Sequence, residues 1–132
     1  QDSSSAASDV YKRQVHMLET IMYSKELTLA GQVDCIADYN GKLSVIDFKT
    51  SNKFKEEAWV QNYFMQCTAY AIMYEELFGK HIEQIVVLIA SEDGTSQAFV
   101  KQTKDFVAPL KETIQGFYKY YQEQNKDKIK QE

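Results

Sequence analysis

Two aspartates and a lysine, Asp34, Asp47 and Lys49, fall within the run Gly31 to Lys49, GQVDCIADYNGKLSVIDFK. The run reads as two apolar strands joined at Asn40-Gly41, a dipeptide that favours a two-residue hairpin turn. Such a turn sets the register, with Tyr39 opposite Lys42, Ile36 opposite Val45 and Asp34 opposite Asp47. Facing residues share one side of the sheet, with Cβ atoms about 4.5–5.5 Å apart. Lys49 lies two residues beyond Asp47 and so on the same side, and Gln32, opposite Lys49, completes the patch. Two facing carboxylates repel, and a divalent metal between them removes the repulsion. The competing reading is a solvated sheet face, with each aspartate paired to its own lysine. The elements that follow the hairpin weigh against that reading.

These elements must position the patch. Val15 to Tyr23 mixes β-branched, aromatic and other apolar residues and predicts a strand. Ser24-Lys25-Glu26 turns the chain into Leu27–Ala30 and the hairpin, which makes three antiparallel strands in a meander. With an even number of residues in that first turn, Glu19 joins the face of Asp34 as a third carboxylate. His16, alone near a strand start, reads as a surface residue. Beyond Lys49, the polar stretch Thr50-Ser51-Asn52-Lys53-Phe54-Lys55 carries two lysines suited to phosphates.

A helix is expected from about Glu56 to Phe78, ending at Gly79. Trp59, Tyr63, Gln66, Tyr70 and Met73 or Tyr74 fall on one stripe of it, with Trp59 and Met73 expected in the core. Gln66 and Tyr70 are one turn apart and can act together, and an amide within an apolar stripe needs a partner. Ile82–Ala90 is an apolar strand, read as covered on both faces and as the return of a parallel crossover. A short strand, Gln97–Val100, and a last helix from about Asp105 follow. That helix carries Leu110, Ile114, Phe117 and Tyr121 on one stripe.

A chain of 132 residues suits one domain with a real core. A net charge of −4 argues against coating nucleic acid non-specifically, though not against one local basic patch. Cys35 and Cys67 form no disulfide framework and read as core residues in a reducing compartment, which makes an intracellular, cytoplasmic protein the expectation. No apolar run approaches the roughly 18 residues that span a bilayer. Residues 1–14, QDSSSAASDVYKRQ, lack periodicity and are read as a non-native or disordered junction, with the native protein beginning further upstream. The domain is then 15–125, and 126–132 a charged tail expected to fray.

Gly31-Gln-Val-Asp34, Asp47-Phe-Lys49 and Gln66-Cys-Thr-Ala-Tyr70 resemble, in order, the GxxD, DxK and QxxxY motifs of RecB-like PD-(D/E)XK nucleases. The stretch from Val15 to about Tyr74 most resembles the branch of mitochondrial genome maintenance exonucleases and their phage relatives. The resemblance implies an α/β fold with a restriction-endonuclease-like core, comprising a three-strand meander, a long helix, a parallel crossover strand, a further short strand and a C-terminal helix. It implies a Mg2+- or Mn2+-dependent deoxyribonuclease, bacterial or phage-encoded, acting as an exonuclease on single-stranded DNA ends. Asp34 and Asp47 would hold the metal with the backbone carbonyl of Phe48. Lys49 would orient or activate the attacking water. Gln66 and Tyr70 would contact DNA or brace the site, beside Thr50, Ser51, Lys53 and Lys55. Many relatives add a His or Glu from a helix upstream of the first strand, which this sequence does not show. The alternatives are a non-catalytic nucleic-acid-binding module on the same fold and a plain α/β interaction domain.

Overall fold

A computed structural model describes the backbone of residues 15–131 and the side chains of residues 15–126. The reading of residues 1–14 as a junction therefore lies outside the described residues. Among the described residues, five strands form one sheet in the order β1-β2-β3-β4-β5. They are β1 (Val15–Ser24), β2 (Leu29–Tyr39), β3 (Lys42–Ser51), β4 (Gln84–Ser91) and β5 (Ser96–Gln102). Helix α1 (Gln61–Phe78) connects β3 to β4, and helix α2 (Val107–Gln131) follows β5. The β2–β3 turn is the expected one. Asn40 and Gly41 both have positive φ, 52° and 78°, and the register pairs Tyr39 with Lys42 through Cys35 with Ile46. β3 and β4 pair in parallel, as a crossover through α1 requires, and β5 returns antiparallel to β4.

α1 crosses the strands one after another. Its first turns meet β5 through Phe64 and Phe99, its middle meets β3 and β2, and its end meets the β1–β2 turn. This route explains why so much of its surface is buried, including Phe64, Cys67, Thr68, Ala69, Tyr70, Ala71, Met73 and Tyr74. Gly79 stops the helix with φ 73°, its N–H bonded to the Glu75 carbonyl. The main core joins these residues to Met22, Val33, Ile36, Val45, Ile85 and Val87, while a smaller cluster of Cys35, Ala37, Ile46 and Val86 forms separately.

Four expectations need correction. The helix does not begin at Glu56; a 3-10 turn, Glu57–Trp59, precedes it. Trp59 therefore leaves the buried stripe and is 64% exposed, whereas Met73 is buried as expected. β4 is not covered evenly on both faces, since Leu88 is half-buried and Ala90 exposed. On α2 only Leu110 and Ile114 reach the core, with Phe117 and Tyr121 exposed, because the helix packs chiefly on α1 and outruns it. Its backbone stays helical through Gln131. Both cysteines are free and buried. Among the described residues no helix is long and apolar enough to cross a membrane.

Candidate functional site

β2 and β3 part company at the residues the hairpin register singled out. Their pairing ends at Cys35 and Ile46; beyond it β2 continues beside β1, and β3 beside β4. The fork leaves the Phe48 N–H without a strand partner on the β2 side, and Asp34 Oδ2 accepts it at 2.9 Å. Within a strand the N–H and C=O of one residue point the same way, so the Phe48 carbonyl also faces the fork. Asp47 is buried there, 4% exposed. Its carboxyl lies against that of Asp34 and 3.1 Å from Lys49 Nζ, yet its buried Oδ2 receives no well-directed hydrogen bond.

The electrostatics follow from this crowding. Burial, and then contact with Asp34, raises the Asp47 pKa to about 6 against the pull of Lys49. Burial works against the Lys49 ammonium, but close contact with the Asp47 carboxyl and its charge outweighs it, and the Lys49 pKa ends above the usual lysine value. Lys49 is therefore a cation held beside the two carboxyls. It is held from the helix side as well, since Nζ reaches Gln66 Oε1 at 3.3 Å and sits 4.8 Å from the centre of the Tyr63 ring.

Gln66 then connects Lys49 to the rest of the fold. Its Nε2 donates to the Tyr70 hydroxyl at 3.0 Å, and the Tyr70 ring lies against Gly31. A Cβ on residue 31 would stand 3.0 Å from Tyr70 Cε1 and 3.2 Å from its hydroxyl oxygen, so a larger residue would press the ring aside by a few tenths of an ångström. The five polar positions and the glycine singled out in the sequence thus form one continuous path, from Asp34 through Asp47, Lys49, Gln66 and Tyr70 to Gly31. The amide in the apolar stripe has its partners.

The other expected residues divide. The turn between β1 and β2 has an even number of residues, Lys25–Thr28, and the neighbouring pairs Leu18 with Cys35 and Thr20 with Val33 put Glu19 opposite Asp34. Glu19 nevertheless adopts a left-handed backbone, φ 43°, and among the described residues no group of three or more His, Cys, Asp or Glu side chains converges on a metal-sized space. Gln32 does not face Lys49. It pairs with Ile21, and its amide bonds to the Glu19 carbonyl at 3.3 Å, because β2 has already turned away from β3. Thr50 is exposed, and the Ser51 hydroxyl donates to the Lys53 carbonyl at 2.7 Å, shaping the loop that displays Lys53 and Lys55. His16 pairs with Asp38 at the surface. Sequence reasoning placed Tyr63 on the right stripe but missed its contact with Lys49; its position three residues before Gln66 was the available signal.

The residues present fit a hard divalent cation. Two carboxylates and a carbonyl face one fork, and one buried carboxylate oxygen, 3.1 Å from the Lys49 ammonium, receives no well-directed hydrogen bond. An α/β core with an Asp-Asp-Lys site under its crossover helix is the architecture of a nuclease core. The family model of the PD-(D/E)XK nuclease superfamily matches residues 4–132, and the chain belongs to that superfamily, whose members generally use divalent metals. Over 86 residues, 61% of this chain, it is 34% identical to mitochondrial genome maintenance exonuclease 1 of Homo sapiens and 35% identical to that of Xenopus tropicalis. The chain spans about a quarter of the length of these curated relatives, 24% in both cases. A crystal structure of an exonuclease candidate from Eubacterium rectale superposes with a TM-score of 0.51 over 80% of this chain and 46% of that one. At 9% identity this is a likeness of fold.

Proposed function

We propose that the chain is the catalytic core of a metal-dependent deoxyribonuclease that removes nucleotides from single-stranded DNA ends. The observation that carries this reading is the fork, where Asp34 and the buried Asp47 crowd together beside a single ammonium held from both strand and helix. Asp34, Asp47 and the Phe48 carbonyl would hold Mg2+ or Mn2+. The ion, when bound, polarises a phosphodiester and lowers the pKa of a bound water. Lys49 faces the same space with its ammonium and offsets negative charge at the phosphorus. Gln66 and Tyr70 set the position of Lys49, and Glu19 lies within one strand of the fork should the backbone there relax. The exonuclease and single-strand parts of the reading rest on the likeness to the mitochondrial exonucleases, and the reducing intracellular setting on the two free cysteines.

The test is the Lys49→Ala variant beside wild type, with end-labelled single-stranded DNA and Mg2+ or Mn2+. Wild type should shorten the strand, and the variant should lose about a hundredfold or more in kcat. Both should gain thermal stability with Mn2+, because an ammonium group is not a ligand. A wild-type chain that binds DNA without shortening it would establish the non-catalytic module instead.

A further inference from the structure

The bridge between β3 and α1, residues 52–60, begins three residues after Lys49 and leads into the helix that carries Tyr63 and Gln66. It exposes two large rings, Phe54 at 53% and Trp59 at 64%, and Phe48, inside the DxK motif, is 57% exposed. Single exposed apolar residues are ordinary, but Phe54 and Trp59 lie only five residues apart, whereas Phe48 points from β3 to the sheet face opposite Asp47 and Lys49. Lys53 and Lys55 flank Phe54, and neither forms an ion pair with a described residue. The nearby acids divide. Glu57 is paired with Lys101, and Asp93 accepts from the N–H groups of Phe54 and Thr95 and from the Thr95 hydroxyl, while Glu56 and Glu92 are exposed without an ion pair to a described residue.

The bridge is also fixed in place. The Phe54 N–H donates to Asp93 Oδ2 at 3.1 Å. The Gln97 amide accepts from the Lys55 N–H at 2.9 Å and donates to the Lys55 carbonyl at 2.7 Å. Together with the Ser51 hydroxyl on the Lys53 carbonyl, these contacts tie three successive residues to the β4–β5 hairpin and to the end of β3. Phe54 is therefore presented outward by a held backbone. A held bridge that carries two cations and two exposed rings within seven residues fits a strand of phosphates and unpaired bases.

We propose that this bridge is a base-stacking platform, in which Phe54 and Trp59 stack unpaired bases of the strand while Lys53 and Lys55 hold its phosphates. The platform would explain a preference for single strands, since a duplex keeps its base faces covered. It rests on the nuclease reading for its place beside the site, but not for its test. Trp59 is the only tryptophan in the chain, so its fluorescence reports contact directly.

The full chain, kept in chelator, is titrated with an oligodeoxythymidylate of about ten nucleotides, within the usual footprint of such grooves. An abasic strand of equal length and a blunt duplex serve as comparisons. The base-bearing strand should quench Trp59, and the other two should not. By anisotropy of a labelled strand, Trp59→Ala and Phe54→Ala should each weaken binding about tenfold with the salt dependence unchanged, and Trp59→Phe should recover most of the loss. The Lys53→Ala/Lys55→Ala double variant should instead reduce the salt slope by about 0.7 per lysine. Both rings are exposed, so melting curves of the alanine variants should match wild type. Equal quenching by the abasic strand, or unchanged affinity in both ring variants, would overturn the platform. Cleavage by wild type in Mn2+ without quenching would overturn the platform and leave the nuclease standing; quenching without cleavage would do the reverse.

Discussion

At the C-terminal end of α1, the Glu76 carboxylate gathers donors from the β1–β2 turn. The Ser24 hydroxyl bonds to one oxygen, and the N–H groups of Lys25 and Glu26 bond to the other at 3.1 and 3.4 Å. Toward the middle of the same helix, Tyr63 and Gln66 overlook Asp34 and Asp47, where two carboxyls crowd together and one buried oxygen has no well-directed donor. The consequences are opposite in sign. The Ser24 hydroxyl, with the backbone donors, lowers the Glu76 pKa, whereas burial, with Asp34, raises that of Asp47 to about 6. One cluster satisfies its charge within the fold and gains stability from it. The other crowds two carboxyls beside a single ammonium, an arrangement that costs the fold stability and that the proposed metal site would put to use.

The most forceful way to break this comparison is Asp47→Asn. Losing a charged oxygen ligand should abolish cleavage, by more than the roughly 100-fold that changes behind a ligand typically cost. The same change removes a crowded, buried charge, so the chelated variant should unfold at equal or higher denaturant than wild type at pH 7. Added Mn2+ should stabilise wild type and not the variant. A variant that cut at the wild-type rate, or that was markedly less stable than wild type in chelator, would show that Asp47 is a structural charge like Glu76.

The next effect is a pH dependence, read on the chelated chain. An Asp47 pKa raised to about 6 means that, between the ordinary carboxylate value and pH 6, the folded state binds more protons than the unfolded one. Stability from this group must then fall as pH rises through that window, by an amount on the order of 1–3 kcal/mol. Glu76, with its pKa lowered, contributes stability that is present at neutral pH and is lost as pH falls through its folded value. Subtracting Asp47→Asn from wild type across pH 4 to 7 should give a difference that turns against wild type as pH rises; subtracting Glu76→Gln should give one that turns in its favour. Differences of the same sign would remove the distinction between the two clusters.

The site was more legible in the sequence than its frame was. Asp34, Asp47 and Lys49 could be placed together because Asn40-Gly41 admits one register, and the structure keeps that register as far as Cys35 and Ile46. The reading of Gln32 failed because a hairpin rule carries strands forward in parallel tracks, while the fork is set by β4 and β1 competing for β3 and β2, a long-range choice that no local pattern encodes. Trp59 failed for a related reason. Helical spacing was extended one turn too early, and the switch to a 3-10 turn depends on where the chain must cross from β3 toward β5. The contact of Tyr70 with Gly31 was visible only as two motif positions. Its physical basis, a ring lying close against a residue without a Cβ, appears once β2 and α1 meet.

The smallest expected effect tests whether the two ends of α1 are separable. Ser24 is buried, and its hydroxyl both donates to Glu76 and accepts the Leu27 N–H at 2.9 Å. The turn it closes includes Thr28 at φ 55°, a left-handed conformation that a non-glycine residue adopts only when its surroundings hold it. Ser24→Ala removes both hydrogen bonds and leaves the Leu27 N–H beside the core, which should cost about 1–2 kcal/mol. The Gln66–Lys49 contact lies more than two helical turns away and shares no partner with Ser24. The kcat/KM of a variant that remains folded at the assay temperature should therefore stay within about twofold of wild type, as expected for distant sites whose effects add. Unfolding by denaturant gives the first number, and initial rates on single-stranded DNA give the second. If cleavage fell in step with stability, α1 would transmit the state of its C-terminal clamp to Lys49, and the two clusters would be parts of one device.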